Sequence, residues 1–457
     1  MNEKIEAPMS AIAAKKRLTT GFFRKGITVA LLSGMCYGMY SAFITLGMSK
    51  GVWEDWYGAN SAGLSLFVVT YLLAALGSAI NDSCSAVWAA GFATVKGKIG
   101  DFFRCLGTFP GRVMILAAIV GGPVSSTAYV AGLQLAGSIV IPITALCPAI
   151  GAILSRFLFK QALNKRMLFG IAVCVMASAM IGSTSIGDDA PEGRLLGICI
   201  ALVAAFGWGL EGCIAGYGTS MIDYEIGITI RQATSGIANL IILLPIFSLM
   251  AGKFTLSAEL LSQAVTSSAA MPLFVVSGFF ALFAYSLWYK GNSMCGTALG
   301  MACNGAFSFW GPFFCWIVLG VFCKMDGWGL PLIAWAAAVL MALGILLISM
   351  NPLDLFKKDE EAPITASKSI KPLNFAILKH FTTVEEACAD DVITALRSEY
   401  ADFKALKRAA VIEAIMTAEA NGILEETRFD EDESGFLRVY YRAHEEGRAT
   451  INRYIKD

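Results

Sequence analysis

The chain has 457 residues, 56% of them hydrophobic and 15% charged, with 35 basic and 35 acidic side chains in exact balance. Soluble domains carry about 25% charged residues, so the composition excludes a chain that is soluble throughout. The net charge of zero says less than its distribution: from Gly26 to Met350 apolar runs alternate with short polar gaps, and from Lys371 onward the sequence reads as an ordinary soluble domain.

Residues 1–25 carry Lys15, Lys16, Arg17, Arg24 and Lys25 directly before the first apolar run and lack the apolar core and cleavage site of a secretory signal. A basic cytosolic N-terminus is expected. Runs of about 20 apolar residues, the length that crosses a bilayer core, fall at 26–49, 61–94, 112–134, 138–157, 166–184, 195–220, 226–250, 268–289, 295–322 and 328–350. The second is too long for one straight crossing and contains Asn81 and Asp82, so it is either extended or broken there. Lys96, Lys98, Arg104, Arg112, Arg156, Lys160, Lys165 and Arg166 fall on the same side as the basic N-terminus, and the 185–194 loop on the other side is acidic. The positive-inside rule then places both termini in the cytosol of a cytoplasmic (inner) membrane protein. Trp53, Trp56 and Tyr57 suit an aromatic belt on the outer side.

GITVALLSGMCYGMYSAFITLGMS (26–49) aligns without a gap on GICIALVAAFGWGLEGCIAGYGTS (197–220), with seven identities in 24 positions. AYV (128–130) pairs with AYS (284–286) in the same register of halves. Five spans followed by five similar ones insert with opposite orientations, which is the inverted-repeat plan of secondary transporters, with a substrate site at the repeat interface. The expected architecture is all-α and polytopic: ten transmembrane helices as a 5+5 inverted repeat, at 26–184 and 195–350. A linker at 351–370 and a small cytosolic α+β domain at 371–457 follow.

The aromatic-glycine pairs Tyr37-Gly38 and Trp208-Gly209, IRQATSG at 230–236, and the stretch from Ser125 to Gly182 carry a family likeness. On them, the region 26–350 resembles the drug/metabolite transporter superfamily, in its ten-helix branch of two EamA-type repeats. Gln161 stands where that family usually has a Glu after the proline helix, and the second helix of the first half departs from its pattern.

An ionisable residue inside an apolar span costs about 2.5–3.5 kcal/mol to insert and so marks a candidate site. Glu211 leads; the repeat places it at the position of Tyr40, on a face flanked by Trp208 and Tyr37. It is either a cavity carboxylate that binds a proton or a cationic substrate, or a neutral side chain hydrogen-bonded between helices or reaching the surface. Arg231 and Gln232 open the seventh span, where Arg231 either pairs with Glu211 or anchors the cytosolic lip. Asp82 with Asn81 is a cavity residue or an exposed helix end. Asn239 and Asn304 read as interhelical hydrogen-bonding groups. Tyr129, Tyr285, Trp310 and Phe307 line an aromatic cavity for a flat or cationic ligand, or are packing.

The chemistry of an enzyme is not written in the apolar region. Its cysteines show no CxxC pair and no Cys/His metal spacing, no phosphate loop occurs, and the two histidines, His380 and His444, lie in the tail. No cofactor or metal is implied.

In the tail, helical patterns at about 373–381, 384–400 and 403–420 precede a hairpin at 423–444 around DEDESG and a last helix from Glu445. This order resembles a winged helix, with NGILEE and GFLRVYYRAHEEGR similar to the wing of PadR-type regulators. From Lys371 the tail has 12 Lys/Arg against 17 Asp/Glu, a net of −5, which argues against nucleic acid as a partner and for a dimerising or regulatory domain. The reading is a transporter of a small polar or cationic metabolite, coupled to protons or exchange; the alternative is a membrane sensor that signals through its tail to DNA or a protein partner.

Overall fold

The computed structural model describes residues 9–57, 67–159, 165–183, 193–219, 221–295, 297–329, 331–349, 371–400, 406–431 and 437–455. The 351–370 linker, Gln161, most of the 185–194 loop and most of the DEDESG turn lie outside them.

Helix α1 runs through Met9–Gly47. At 1.5 Å per residue its 39 residues span about 58 Å, roughly twice the thickness of a bilayer core. Its basic first turns therefore reach past the apolar bundle, and Lys15 meets the C-terminal tail. After α2 (Val52–Tyr57) come α3 (Leu73–Val95), α4 (Ile99–Leu106), α5 (Phe109–Ile119), α6 (Thr127–Ala136), α7 (Val140–Thr144), α8 (Cys147–Phe159) and α9 (Lys165–Ser183). Then follow α10 (Arg194–Thr219), α11 (Tyr224–Ala238), α12 (Leu244–Met250), α13 (Leu256–Thr266), α14 (Met271–Cys295), α15 (Thr297–Asn304), α16 (Phe307–Cys315) and α17 (Leu332–Ser349).

Five stretches among the described residues are long and apolar enough to cross a membrane: Arg17–Gly47, Phe109–Thr144, Arg194–Gly216, Tyr224–Met250 and Met271–Cys295. Shorter apolar helices lie at Cys147–Phe157, Leu168–Ala177, Phe307–Phe322 and Leu332–Gly344. The chain is thus a helical membrane protein, and among the described residues fewer helices are long and apolar enough to cross than there are apolar runs in the sequence. Two causes are visible. The 295–322 run divides into α15 and α16, and α3 carries Ser78, Asn81, Asp82 and Ser85 on its buried surface, which lowers its hydropathy. The helix is nevertheless continuous through Asn81 and Asp82, and the irregular turn is a π segment at Val68–Leu72.

The packing exchanges helices between the two halves of the sequence. Helix α1 lies against α14 and α16, while α10 lies against α6 and α8; α3 pairs with α11, and α9 with α17. The sequence-equivalent glycines Gly38 and Gly209 make these approaches possible. A Cβ on Gly38 would run into the backbone of Trp310 in α16, and one on Gly209 into Ile150 in α8. Small residues that let helix backbones close in are the usual device of apolar bundles.

Trp53 does not belong to a surface belt. It is fully buried, its indole N–H donates to the Leu73 carbonyl at 2.9 Å, and its ring packs on Phe274 at 5.0 Å. The apolar ring gains more from this cleft than from an interface, because its one polar atom already has an acceptor.

The tail comprises α18 (Leu373–Thr383), α19 (Ala389–Tyr400), α20 (Arg408–Ala420), an antiparallel pair β1 (Glu425–Glu431) and β2 (Leu437–Arg442), and α21 (Glu445–Tyr454). The 384–400 pattern starts its helix only at Ala389. Ala387 instead exchanges both backbone hydrogen bonds with Tyr441, adding a bridge beside the hairpin. Val439 and Tyr441 of β2 face the tail's own core with Phe381, Val411 and Ile415. His444 caps α21 by accepting from the Gly447 N–H at 3.1 Å.

Trp53→Ala should remove a filled core site at a cost of about 3–5 kcal/mol. The melting temperature of the detergent-solubilised protein is expected to fall by several degrees; an unchanged value would mean that this contact does not hold the bundle together.

Candidate functional site

Three charged side chains meet inside the bundle: Asp82 on α3, Glu211 on α10 and Arg231 on α11, each no more than 1% exposed. The start of α11 sets the depth of Arg231. Asp223 caps the helix by accepting from the Glu225 N–H at 2.9 Å, and Lys98 ties Asp223 and Glu225 at 2.8 and 2.7 Å. Burial works to lower the Lys98 ammonium, but the two carboxylates outweigh it and hold it above the ordinary lysine range. Two turns further in, Arg231 is out of reach of the surface.

Each nitrogen of the Arg231 guanidinium has an acceptor. Its Nε donates to Glu211 Oε1 at 2.9 Å, one terminal nitrogen to the Gln232 side-chain carbonyl, and the other to Ser126 Oγ at 3.3 Å. Its nearer terminal nitrogen lies 3.8 Å from Asp82, and its plane sits 3.9 Å over the Tyr285 ring. Gln232 passes the chain on to Ser85, Ser235 donates to Asp82, and Ser277 donates to Asn81 at 2.7 Å. Tyr289 donates to the same Glu211 oxygen as Arg231, at 2.8 Å. The second oxygen, Oε2, is buried with no hydrogen-bond partner among the described residues.

Space for that carboxylate comes from VGGPVSS, the π segment Val120–Ser126 between α5 and α6. Pro123 supplies no N–H, which favours a widened turn there. Gly121 then presents bare backbone, and a Cβ on it would overlap the Glu211 carboxylate. The Trp208 indole N–H and Ser126 hydroxyl both donate to the Gly121 carbonyl, at 3.1 and 2.9 Å.

Beside the ionic cluster stands an aromatic box. Tyr37 stacks on Phe307 at 4.4 Å and meets Tyr40, Tyr129 and Trp208 at 5.3, 5.5 and 5.8 Å. Ser41 and Tyr129 share a hydroxyl hydrogen bond of 2.6 Å. One turn along α1, Thr45 lines a cavity of about 460 Å³ at the end of the bundle away from the tail, with Met48, Trp53, Glu54, Gln134 and Trp328. The Ser41–Tyr129 pair is thus one helical turn from that cavity's wall.

Of the sequence candidates, Glu211, Arg231, Gln232, Asp82, Asn81 and Tyr285 form the ionic cluster, and Tyr37, Tyr40, Tyr129, Trp208 and Phe307 the box. Asp82 is no exposed helix end and Arg231 no surface anchor. Asn304 and Trp310 belong elsewhere: Asn304 accepts from Ser33, and Trp310 packs among Phe309, Phe313 and Phe314. Asn239 is fully buried, and its side-chain amide finds no hydrogen-bond partner among the described residues. Tyr289, Ser126, Ser85, Ser235 and Gly121 were not foreseen. Tyr289 follows Tyr285 by four residues and so shares its helix face, which is a signal the sequence held. The serines and Gly121 give none, because small residues are everywhere in such helices.

No family model matches the chain. A stretch of 196 residues, 43% of the chain, is 24% identical to Protein LicB of Haemophilus influenzae and spans 63% of that protein, somewhat less than two thirds of its length. One solved crystal structure aligns with 70% of this chain and 97% of its own, at 17% identity and a TM-score of 0.43.

Removing one partner from a buried ionic group strands the others, at about 3–5 kcal/mol. Arg231→Met should therefore destabilise the protein strongly in thermal melts. Gly121→Ala should do so too by displacing Glu211, whereas Gly91→Ala, with open space at its Cβ, should be neutral. Equal melting temperatures for the two alanine variants would rule out the close approach.

Proposed function

We propose that the chain is a secondary transporter for a small organic cation, built from two five-helix repeats of opposite orientation in the cytoplasmic membrane, with both termini cytosolic. The observation that carries this reading is the charge count of the buried cluster. Two carboxylates face one guanidinium, so full ionisation leaves one negative charge without a counter-charge. An isolated buried charge is strongly unfavourable, and the surplus is met either by a proton or by a positive ligand.

A proton and a cationic cargo then compete for the same charge, which couples their movements without any further machinery. The aromatic box offers the second half of the recognition, since ring faces attract a desolvated cation by about 2 kcal/mol or more. The exchange of helices between the two halves, with α1 against α14 and α16 and α10 against α6 and α8, is what an inverted repeat with a central site requires. It agrees with the resemblance to the EamA-type branch of the drug/metabolite transporters. In this reading the cavity away from the tail is the open approach, and the Ser41–Tyr129 hydrogen bond closes it from the box. The tail acts as a winged-helix-like accessory domain.

Glu211→Gln brings the cluster to neutrality, with Arg231 facing Asp82 alone, so the variant should fold. Uptake of labelled small organic cations into proteoliposomes should lose its dependence on an imposed pH gradient and fall to near background. Wild-type uptake at every pH in the Gln variant would show the carboxylate to be structural.

A further inference from the structure

The tail sits across the ends of helices from both halves. Each oxygen of Glu413, on α20, takes one lysine: Lys25 of α1 at 2.9 Å and Lys290 of α14 at 2.8 Å. Burial works to raise the Glu413 carboxyl, but the two lysines outweigh it and the group is held below its ordinary range. Further contacts surround this bridge. The Asn421 amide donates to the Ser293 carbonyl at 3.2 Å, and the Leu373 N–H donates to Asp101 at 3.2 Å. The Tyr454 ring stacks on Phe109 at 4.2 Å, and Lys15 pairs with Glu426 while lying 4.5 Å over the Phe429 ring.

Lys290 is the residue after Tyr289, whose hydroxyl holds Glu211. One turn of α14 thus carries both the tyrosine that holds the cluster and the lysine that holds the tail. The cluster's charged side chains are buried, and the 460 Å³ cavity lies at the end away from the tail.

We propose that the tail is a clamp: by joining α1 to α14 through Glu413 it holds the bundle shut at its own end, and its release lets that end open onto the Glu211 cluster. The consequence for transport rests on the function proposed above, whereas the clamp itself does not. Linking two elements through a third lowers the population of states in which they part, because local opening must then break the added contacts as well.

Two cysteines report on the clamp directly. Cys105 on α4 is fully buried and lines the cleft shared with Leu373 and Phe375 of the tail, and Cys295 closes α14 beside Ser293. Exposed Cys323 at the far end serves as the reference. Full-length protein in detergent would be treated with N-ethylmaleimide and each cysteine followed by peptide-resolved mass spectrometry. In Glu413→Lys, and equally in Lys290→Glu, Cys105 and Cys295 should react several-fold faster than in wild type, with Cys323 unchanged. The double variant restores an opposite pair toward α14 alone, since Lys25 of α1 then meets a like charge, and should react at a rate between the single variants and wild type. Wild-type rates in both single variants, or a double variant as reactive as the singles, would overturn the clamp; loss of transport by itself would leave these rates as stated.

Discussion

Arg231 lies between two carboxylates where none of the three reaches solvent, and the surrounding helices are arranged around that fact. A guanidinium in an apolar bundle is tolerated only when its donors are filled and its charge is answered. Glu211, Gln232 and Ser126 each accept from one guanidinium nitrogen, Tyr285 covers the face, and Asp82 adds the second negative charge. Meeting these demands draws α3, α10, α11 and α14 together with the π turn between α5 and α6. The same arrangement leaves Glu211 Oε2 without a partner. Such an acceptor is expensive in a finished core and useful in a site that awaits a proton or a cation.

Much of this was legible in the sequence, for a physical reason. Charged residues in apolar runs are rare, so Asp82, Glu211 and Arg231 stand out by type alone, and the aligned repeat directs attention to Tyr37, Tyr40 and Trp208. What the sequence leaves open is which of two environments each one meets. Asp82 reads equally well as a helix end, and only the pairing of α3 with α11 decides for the interior. Trp53 misleads in the opposite sense: its position after a span suits an interface, yet the Leu73 carbonyl and the Phe274 ring give its N–H and its ring better partners. Asn304 and Trp310 have the same composition signal as true members of the site and fall outside it, because α15 and α16 turn them toward Ser33 and a run of phenylalanines. In the tail, element types follow the pattern closely, and the late start of α19 comes from a long-range pairing, Ala387 with Tyr441, that no local preference encodes.

The two ends of the bundle differ. One carries a wide cavity with an acidic side chain, Glu54, and two tryptophans at its wall; the other is closed by ion pairs, Lys98 with Asp223 and Glu225 inside the bundle and Glu413 with Lys25 and Lys290 beneath the tail. Between them stands the ionic cluster with its aromatic box. Apolar packing between helices has no hydrophobic driving force in lipid, so polar ties of this kind add to van der Waals packing in holding the helices together.

The claim on which the rest depends is that one surplus negative charge is shared by a proton and a cationic ligand. It is tested most directly by measuring protons released when tetramethylammonium is added to the purified protein in weakly buffered detergent near pH 7. Binding should release up to about one proton per cation bound, and Glu211→Gln should release none. Saturable binding of the cation with no proton released, alike in wild type and variant, would contradict the account.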